Sequence, residues 1–180
     1  MKSLVPLLLV ASLVMGFIVS CSKTSKMTEE QLFGLAKAQE SKEQFKDAAK
    51  TYEALVKRYP QGKHGEEALY RLGLIYANNL HDYRKAVDAY KRLIEKYPNS
   101  PRLAQAYFMI GYHYANDIKD LDKAREAYNT FLEKFPNHEL AASVKFELKY
   151  LGKDVTDLDI FQEGNTESGD ANPTSSGGGR

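Results

Sequence analysis

An aromatic residue followed by proline closes the same pattern three times, at Tyr59-Pro60, Tyr97-Pro98 and Phe135-Pro136, with an interval of 38 residues each time. Upstream of each proline the register holds in four more columns. Phe45, Tyr83 and Leu121 correspond, as do Ala48, Ala86 and Ala124, then Tyr52, Tyr90 and Tyr128, then Leu55, Leu93 and Phe131. A fixed period of this length marks a chain built from supersecondary units that cannot bury their apolar faces alone and must stack to make a core. Within each unit the apolar positions step by three and four, as in Tyr83, Ala86, Val87, Tyr90, Leu93, Ile94 and Tyr97, which is one stripe of an amphipathic helix.

A second helical run precedes each stripe, over residues 32–38, 68–77 and 104–115, so each unit reads as a helix pair. Thr28 with Gln31 offers a capping box for the first helix, and Asp82 and Asp120 are placed to cap the later stripes. Ser100 followed by Pro101 suits an N-cap with proline at the first helical position. After Pro136 a further run over 139–151 carries Val144, Phe146, Leu148 and Tyr150 and stops at Gly152. It reads as a terminal cap whose exposed face should be the polar one, supplied by Lys145, Glu147 and Lys149.

These columns resemble the tetratricopeptide repeat. Small residues stand at Ala36, Gly73 and Gly111 in the first helices and at Ala48, Ala86 and Ala124 in the second. Leu35, Leu72 and Ile110 precede the small position, and Pro60, Pro98 and Pro136 close each unit. The resemblance implies an all-α helical solenoid of three repeats, about 28–60, 66–98 and 104–136, plus the capping helix over 139–151. The usual period is about 34 residues. The excess is expected partly in the turns between paired helices, Asn78 to Asp82 and Asn116 to Asp120, and partly in the link after each proline.

The amino terminus speaks to compartment. Lys2 precedes an almost wholly apolar stretch from Leu4 to Val19, of secretory-signal length, and the only cysteine, Cys21, follows it. Ile18-Val19-Ser20-Cys21 resembles the lipobox of bacterial lipoproteins, which implies a signal peptide over 1–20, cleavage before Cys21 and acyl chains on that residue. The other reading is an uncleaved membrane anchor with an incidental thiol. A lone cysteine makes no internal disulfide, and acyl chains contributing about 0.8 kcal/mol per buried CH₂ would hold the protein at a bilayer surface. Ser22 after the cysteine implies outer-membrane delivery, and residues 21–27 form a short lipidated tether.

The C-terminal extension, 153–180, has two parts. Val155, Leu158, Ile160 and Phe161 alternate loosely with Asp154, Asp157 and Asp159, a spacing that lacks the glycine and terminal glutamate of a calcium loop. This segment is expected to dock on the cap helix. From about 163 the composition is polar and glycine-rich, and disorder is expected.

Net charge is +1, with acidic and basic residues interleaved along the helices, so no basic block supports nucleic-acid binding. His64, His81, His113 and His138 fall in different stretches without ligand-like pairing, and no glycine-rich phosphate loop or nucleophile elbow occurs. No catalytic residue, metal site or cofactor is expected beyond the covalent lipid on Cys21.

Recognition remains. In the tetratricopeptide architecture the first helices line the concave side, and three residues before the small position stand Phe33, Tyr70 and Phe108, continued by Phe146 in the cap. Lys37, Leu74 and Tyr112 follow the small position, and Asn78 and Asn116 lie one turn on. If these columns face the groove, they offer aromatic platforms for an extended or helical peptide. The alternative is that the aromatics only pack between adjacent helices. Carboxylate-gripping tetratricopeptide domains place lysine and asparagine in the first two columns, so chaperone-tail binding is not implied.

Together the lipobox, the short tether and the Tyr97-Pro98-Asn99-Ser100 link resemble the BamD-type family of outer-membrane assembly lipoproteins over about residues 21–152. That resemblance implies a scaffold on the periplasmic face, with envelope proteins, including the β-barrel assembly machinery, as partners. Three and a half units stand where that family typically has five. Two other readings are a Tol-Pal-type envelope partner, although no heptad run precedes Thr28, and a lipoprotein binding a small molecule or glycan in its groove.

Overall fold

A computed structural model describes residues 26–153; the expected signal peptide, Cys21 with most of the expected tether, and the extension from residue 154 lie outside the described residues. The described chain is all-helical. Seven α-helices follow one another as α1 (Glu29–Ser41), α2 (Phe45–Arg58), α3 (Gly65–Leu74), α4 (Tyr83–Lys96), α5 (Leu103–His113), α6 (Leu121–Lys134) and α7 (Ala141–Tyr150). Each packs on its neighbours in sequence, which is the arrangement of a tetratricopeptide-like solenoid.

Helix starts follow from local chemistry. The Thr28 hydroxyl accepts from the Gln31 amide at 3.3 Å while Gln31 Oε1 accepts from the Thr28 amide at 2.9 Å, closing the capping box on α1. Asp82 and Asp120 accept from the Lys85 and Lys123 amides, each at 3.2 Å, so α4 and α6 carry the same cap one period apart. The hydrogen bond from the Lys85 ammonium, at 2.6 Å, holds the Asp82 carboxyl below the usual carboxylate range. Ser100 behaves differently from its expected role. Its hydroxyl accepts from the Arg102 amide at 3.0 Å and donates to Glu66 Oε1 at 2.7 Å, so residues 101–102 form a turn and α5 starts only at Leu103. The serine ties two units together instead of opening the helix.

The extra residue of each long repeat also lies elsewhere than expected. Between the small residue and the alanine of the second helix there are 12 steps in the first unit, Ala36 to Ala48, but 13 in the others, Gly73 to Ala86 and Gly111 to Ala124. The first unit has a plain helix end. In the other two, α3 and α5 each run on into one π-helical turn, Ile75–Asn79 and Tyr114–Ile118. Widened bonds from the Leu80 amide to the Ile75 carbonyl (3.0 Å) and from the Asp120 amide to the Tyr114 carbonyl (2.9 Å) absorb the insertion within the helix end.

Each intra-repeat turn then reverses through one non-glycine residue in the left-handed region: Glu43 (φ 57°), His81 (φ 52°) and Lys119 (φ 62°), again 38 apart. An L-residue held there is disfavoured by about 1–2 kcal/mol, a cost that glycine avoids at some entropic expense. Lys119 is exposed, so Lys119→Gly should raise the unfolding free energy by about 0.5 kcal/mol, whereas the β-branched Lys119→Val should lower it by about 1 kcal/mol or more, as read by urea denaturation.

The core sits between the paired helices. Tyr52, Tyr90 and Tyr128 are fully buried, as are Leu55, Leu93 and Phe131 one turn on. The small positions explain how the tyrosines fit. A Cβ on Gly73 would meet the Tyr90 ring, and one on Gly111 would meet that of Tyr128. The first interface adds a polar knot: the Tyr52 hydroxyl donates to Glu40 Oε2 at 2.7 Å, and Arg71 donates to both Glu40 oxygens at 3.2 Å and to Glu67 at 2.8 Å. Burial, then the Glu40 carboxylate, pushes the Tyr52 hydroxyl pKa up.

The cap departs from expectation in its outer surface. α7 spans 141–150 rather than 139–151, because Leu140 and Glu139 stay in a turn where the Leu140 amide donates to His138 Nδ1 at 3.1 Å. Ala141 and Val144 are buried against α6, and Gly152 (φ 81°) ends the helix in the left-handed region as glycine readily does. Lys145 and Lys149 are exposed as expected, but Glu147 is half-buried and Phe146 is 50% exposed, so the outer side of the cap is not simply polar. Among the described residues a single helix follows the third unit, and Phe146 meets the ring of Tyr150 on its own helix rather than a tyrosine of a second helix.

Candidate partner-binding face

The aromatic column lies on the first helices, one residue each from α1, α3, α5 and α7. Phe33 stacks flat on the His64 ring, with centroids 4.1 Å apart and planes 8° off parallel, and tilts against Tyr52 at 6.1 Å. Tyr70 tilts against Tyr90 at 6.2 Å, carries the Arg102 guanidinium 4.8 Å over its ring and donates its hydroxyl to Gln105 Oε1 at 3.0 Å. Phe108 tilts against Tyr128 at 6.3 Å, and Phe146 lies 4.6 Å from Tyr150. Phe33, Tyr70 and Phe108 are thus half-buried, each with an edge on the tyrosine of its own second helix.

The flanking positions divide. Lys37 is exposed with its ammonium 5.5 Å over Phe33, so those two share a patch. Phe108, Tyr112 and Asn116 form another: the rings are 6.2 Å apart, Tyr112 is 38% exposed, and the exposed Asn116 donates from Nδ2 to the Tyr112 carbonyl at 3.2 Å. Leu74 is half-buried at the end of α3, and Asn78 is exposed within the π-helical turn.

Two residues of this face went unseen in the sequence, His64 and Arg102, which seat themselves on Phe33 and Tyr70 from the start of the following unit. Their signal was present, since they are 38 residues apart. The first two rungs are therefore interleaved, an aromatic ring from one unit with a nitrogen-bearing flat group from the next, whereas Leu140 stands at the equivalent position for Phe108. A cation over an aromatic face contributes about 0.5–1 kcal/mol when exposed and fixes the ring without covering both sides of it.

Of the histidines, only His113 is deeply buried; Asp117 Oδ2 lies 2.8 Å from its Nδ1, and it stacks on Tyr90 at 6.3 Å. It packs the second interface. Among the described residues no three His, Cys, Asp or Glu side chains gather as metal ligands, and no helix is long and apolar enough to cross a membrane.

Residues 25–160 match a family model described as "YfiO: Outer membrane lipoprotein". No curated protein sequence matches the chain.

Proposed function

Because the chain belongs to the YfiO family of outer membrane lipoproteins, we propose that it is a non-catalytic interaction scaffold of the bacterial cell envelope, working in outer-membrane protein assembly. Lipid on Cys21 holds it to the outer membrane, and the first helices, facing the periplasm, receive an extended or helical segment of another envelope protein. One observation carries the reading of the site: Phe33, Tyr70 and Phe108 recur once per helix pair, each half-buried with its ring against the tyrosine of its own second helix, and Phe146 continues the column half exposed. Rings anchored in this way lose little conformational freedom when a partner covers them, which is why aromatics dominate binding hot spots. Lys37, Leu74, Asn78, Tyr112 and Asn116 supply the adjoining contacts. No nucleic acid and no metal enters this account.

The anchor has its own test. Cys21→Ser should leave the signal uncleaved or move the mature protein from the membrane fraction into the soluble periplasmic extract. Normal processing with unchanged membrane association would defeat the lipoprotein assignment.

A further inference from the structure

Between the second helices α4 and α6 lies a cleft lined by none of the aromatic-ladder residues. Comparing the same columns in successive interfaces shows how it arises. Between α2 and α4, Arg92 donates from Nη1 and Nη2 to the two carboxylate oxygens of Glu53, both at 3.0 Å, and this fork bridges the two helices. Beneath it Val56, Leu72 and Ala89 are almost fully buried. One period later Glu53 becomes Lys91 and Arg92 becomes Thr130. The fork has no counterpart, and the Thr130 hydroxyl turns back to the Glu126 carbonyl at 2.8 Å. A cavity of about 320 Å³ is left between α4 and α6, floored by Ile94, Tyr107, Ile110 and Ala127.

Its rim is charged in an ordered way. At one end the Lys91 ammonium lies 3.1 Å from the Tyr114 hydroxyl, and both Lys91 and Lys123 sit over the Tyr114 ring, at 5.3 and 5.6 Å. Lys123 is paired with Asp120; among the described residues Lys91 has no carboxylate partner. One turn further along the same two helices stand Glu95 and Glu126, neither of which has a cationic partner among the described residues. The cleft thus has an apolar floor, a cationic end and an anionic end.

We propose that this cleft is a second docking site, for an amphipathic helix of a partner protein that seats a leucine- or phenylalanine-sized side chain on Ile94, Ile110 and Ala127. The partner helix carries a carboxylate toward Lys91 and a basic side chain toward Glu95 and Glu126. The volume is at the bottom of the range of small-molecule sites, roughly 300–1,000 Å³, and the trough lies between two helices. A helix laid in such a trough uses one or two apolar anchors and charges placed a turn away on each side.

The test uses the detergent-solubilised full chain and a synthetic 16-residue helical peptide with one Phe and one Leu four apart, Glu at one end and Lys at the other. Titration followed by NMR should shift the methyl signals of Ile94, Ile110 and Ala127. Changing the peptide's Phe to Ser should weaken binding at least about tenfold. The double variant Lys91→Glu, Thr130→Arg rebuilds the clamp of the first interface, and should weaken binding at least about tenfold while leaving the thermal midpoint equal or higher. Should that variant fold poorly, Ala127→Met fills the floor and should give the same loss. Equal affinity of either folded variant and wild type, shifts confined to the Tyr70 and Phe108 face, or no binding to wild type at millimolar peptide would overturn the proposal.

Discussion

Tyr90→Ala is expected to cost about 3–5 kcal/mol of folding free energy, the range for removing a large buried aromatic. Three features place it at the high end. The ring fills the space that Gly73 leaves, it lies against Tyr70 at 6.2 Å, and it stacks on His113 of the next unit at 6.3 Å. Truncation would open a cavity touching two units, and in a solenoid of so few units the loss of one interface removes support from both neighbours. The hydroxyl itself contributes nothing of this kind, because no protein group among the described residues bonds it, in contrast to the Tyr52 hydroxyl on Glu40. Tyr90→Phe should therefore be neutral or stabilising by about 1 kcal/mol, and Tyr52→Phe destabilising by about 1–2 kcal/mol. Urea denaturation of the three variants checks the set. A loss for Tyr90→Phe as large as for Tyr52→Phe would contradict the packing described.

The double variant Tyr70→Ala, Phe108→Ala should show the reverse balance. Both rings are half-buried, so each truncation should cost no more than about 1–2 kcal/mol of stability, with Tyr70 also losing its contacts to Arg102 and Gln105. If the ladder is the partner-binding face, the pair should lower affinity for an envelope partner at least about 30-fold, the effect of losing one aromatic hot spot of about 2 kcal/mol. Measuring unfolding and partner co-purification on the same variant separates the two roles. A stability loss of about 3–5 kcal/mol for each ring would instead mean that the ladder is core.

Much of the fold was legible because its causes are local or periodic. The Tyr52, Tyr90 and Tyr128 column states the repeat outright, and Asp82, Asp120, Thr28 with Gln31, and Gly152 each act within four residues of where they stand. What escaped depends on groups distant in sequence. Whether an added residue widens a helix or lengthens a turn is decided by tertiary contacts around Ile75–Asn79 and Tyr114–Ile118, and composition does not reveal it. Ser100 carries the right chemistry for a cap and does accept from the Arg102 amide, but its O–H is tied to Glu66, 34 residues earlier, and residues 101–102 form a turn before the helix starts. For the same reason the aromatic ladder was visible as a column, while its partners His64 and Arg102 were not. They come from the next unit, and only their shared period links them to Phe33 and Tyr70. The missing clamp at Lys91 and Thr130 is likewise written in the sequence, yet it means nothing until Glu53 and Arg92 are seen to touch.

The face built on the first helices is proposed to receive an envelope protein. In-cell photocrosslinking from positions 70 and 108, with mass spectrometry of the captured species, tests it most directly. Adducts with proteins of outer-membrane assembly are expected from both positions, as is their loss when the neighbouring Tyr112 is changed to Ala. Absence of adducts at 70 and 108, with crosslinks arising only from the outer surfaces of α2, α4 and α6, would contradict it and make the ladder a packing feature.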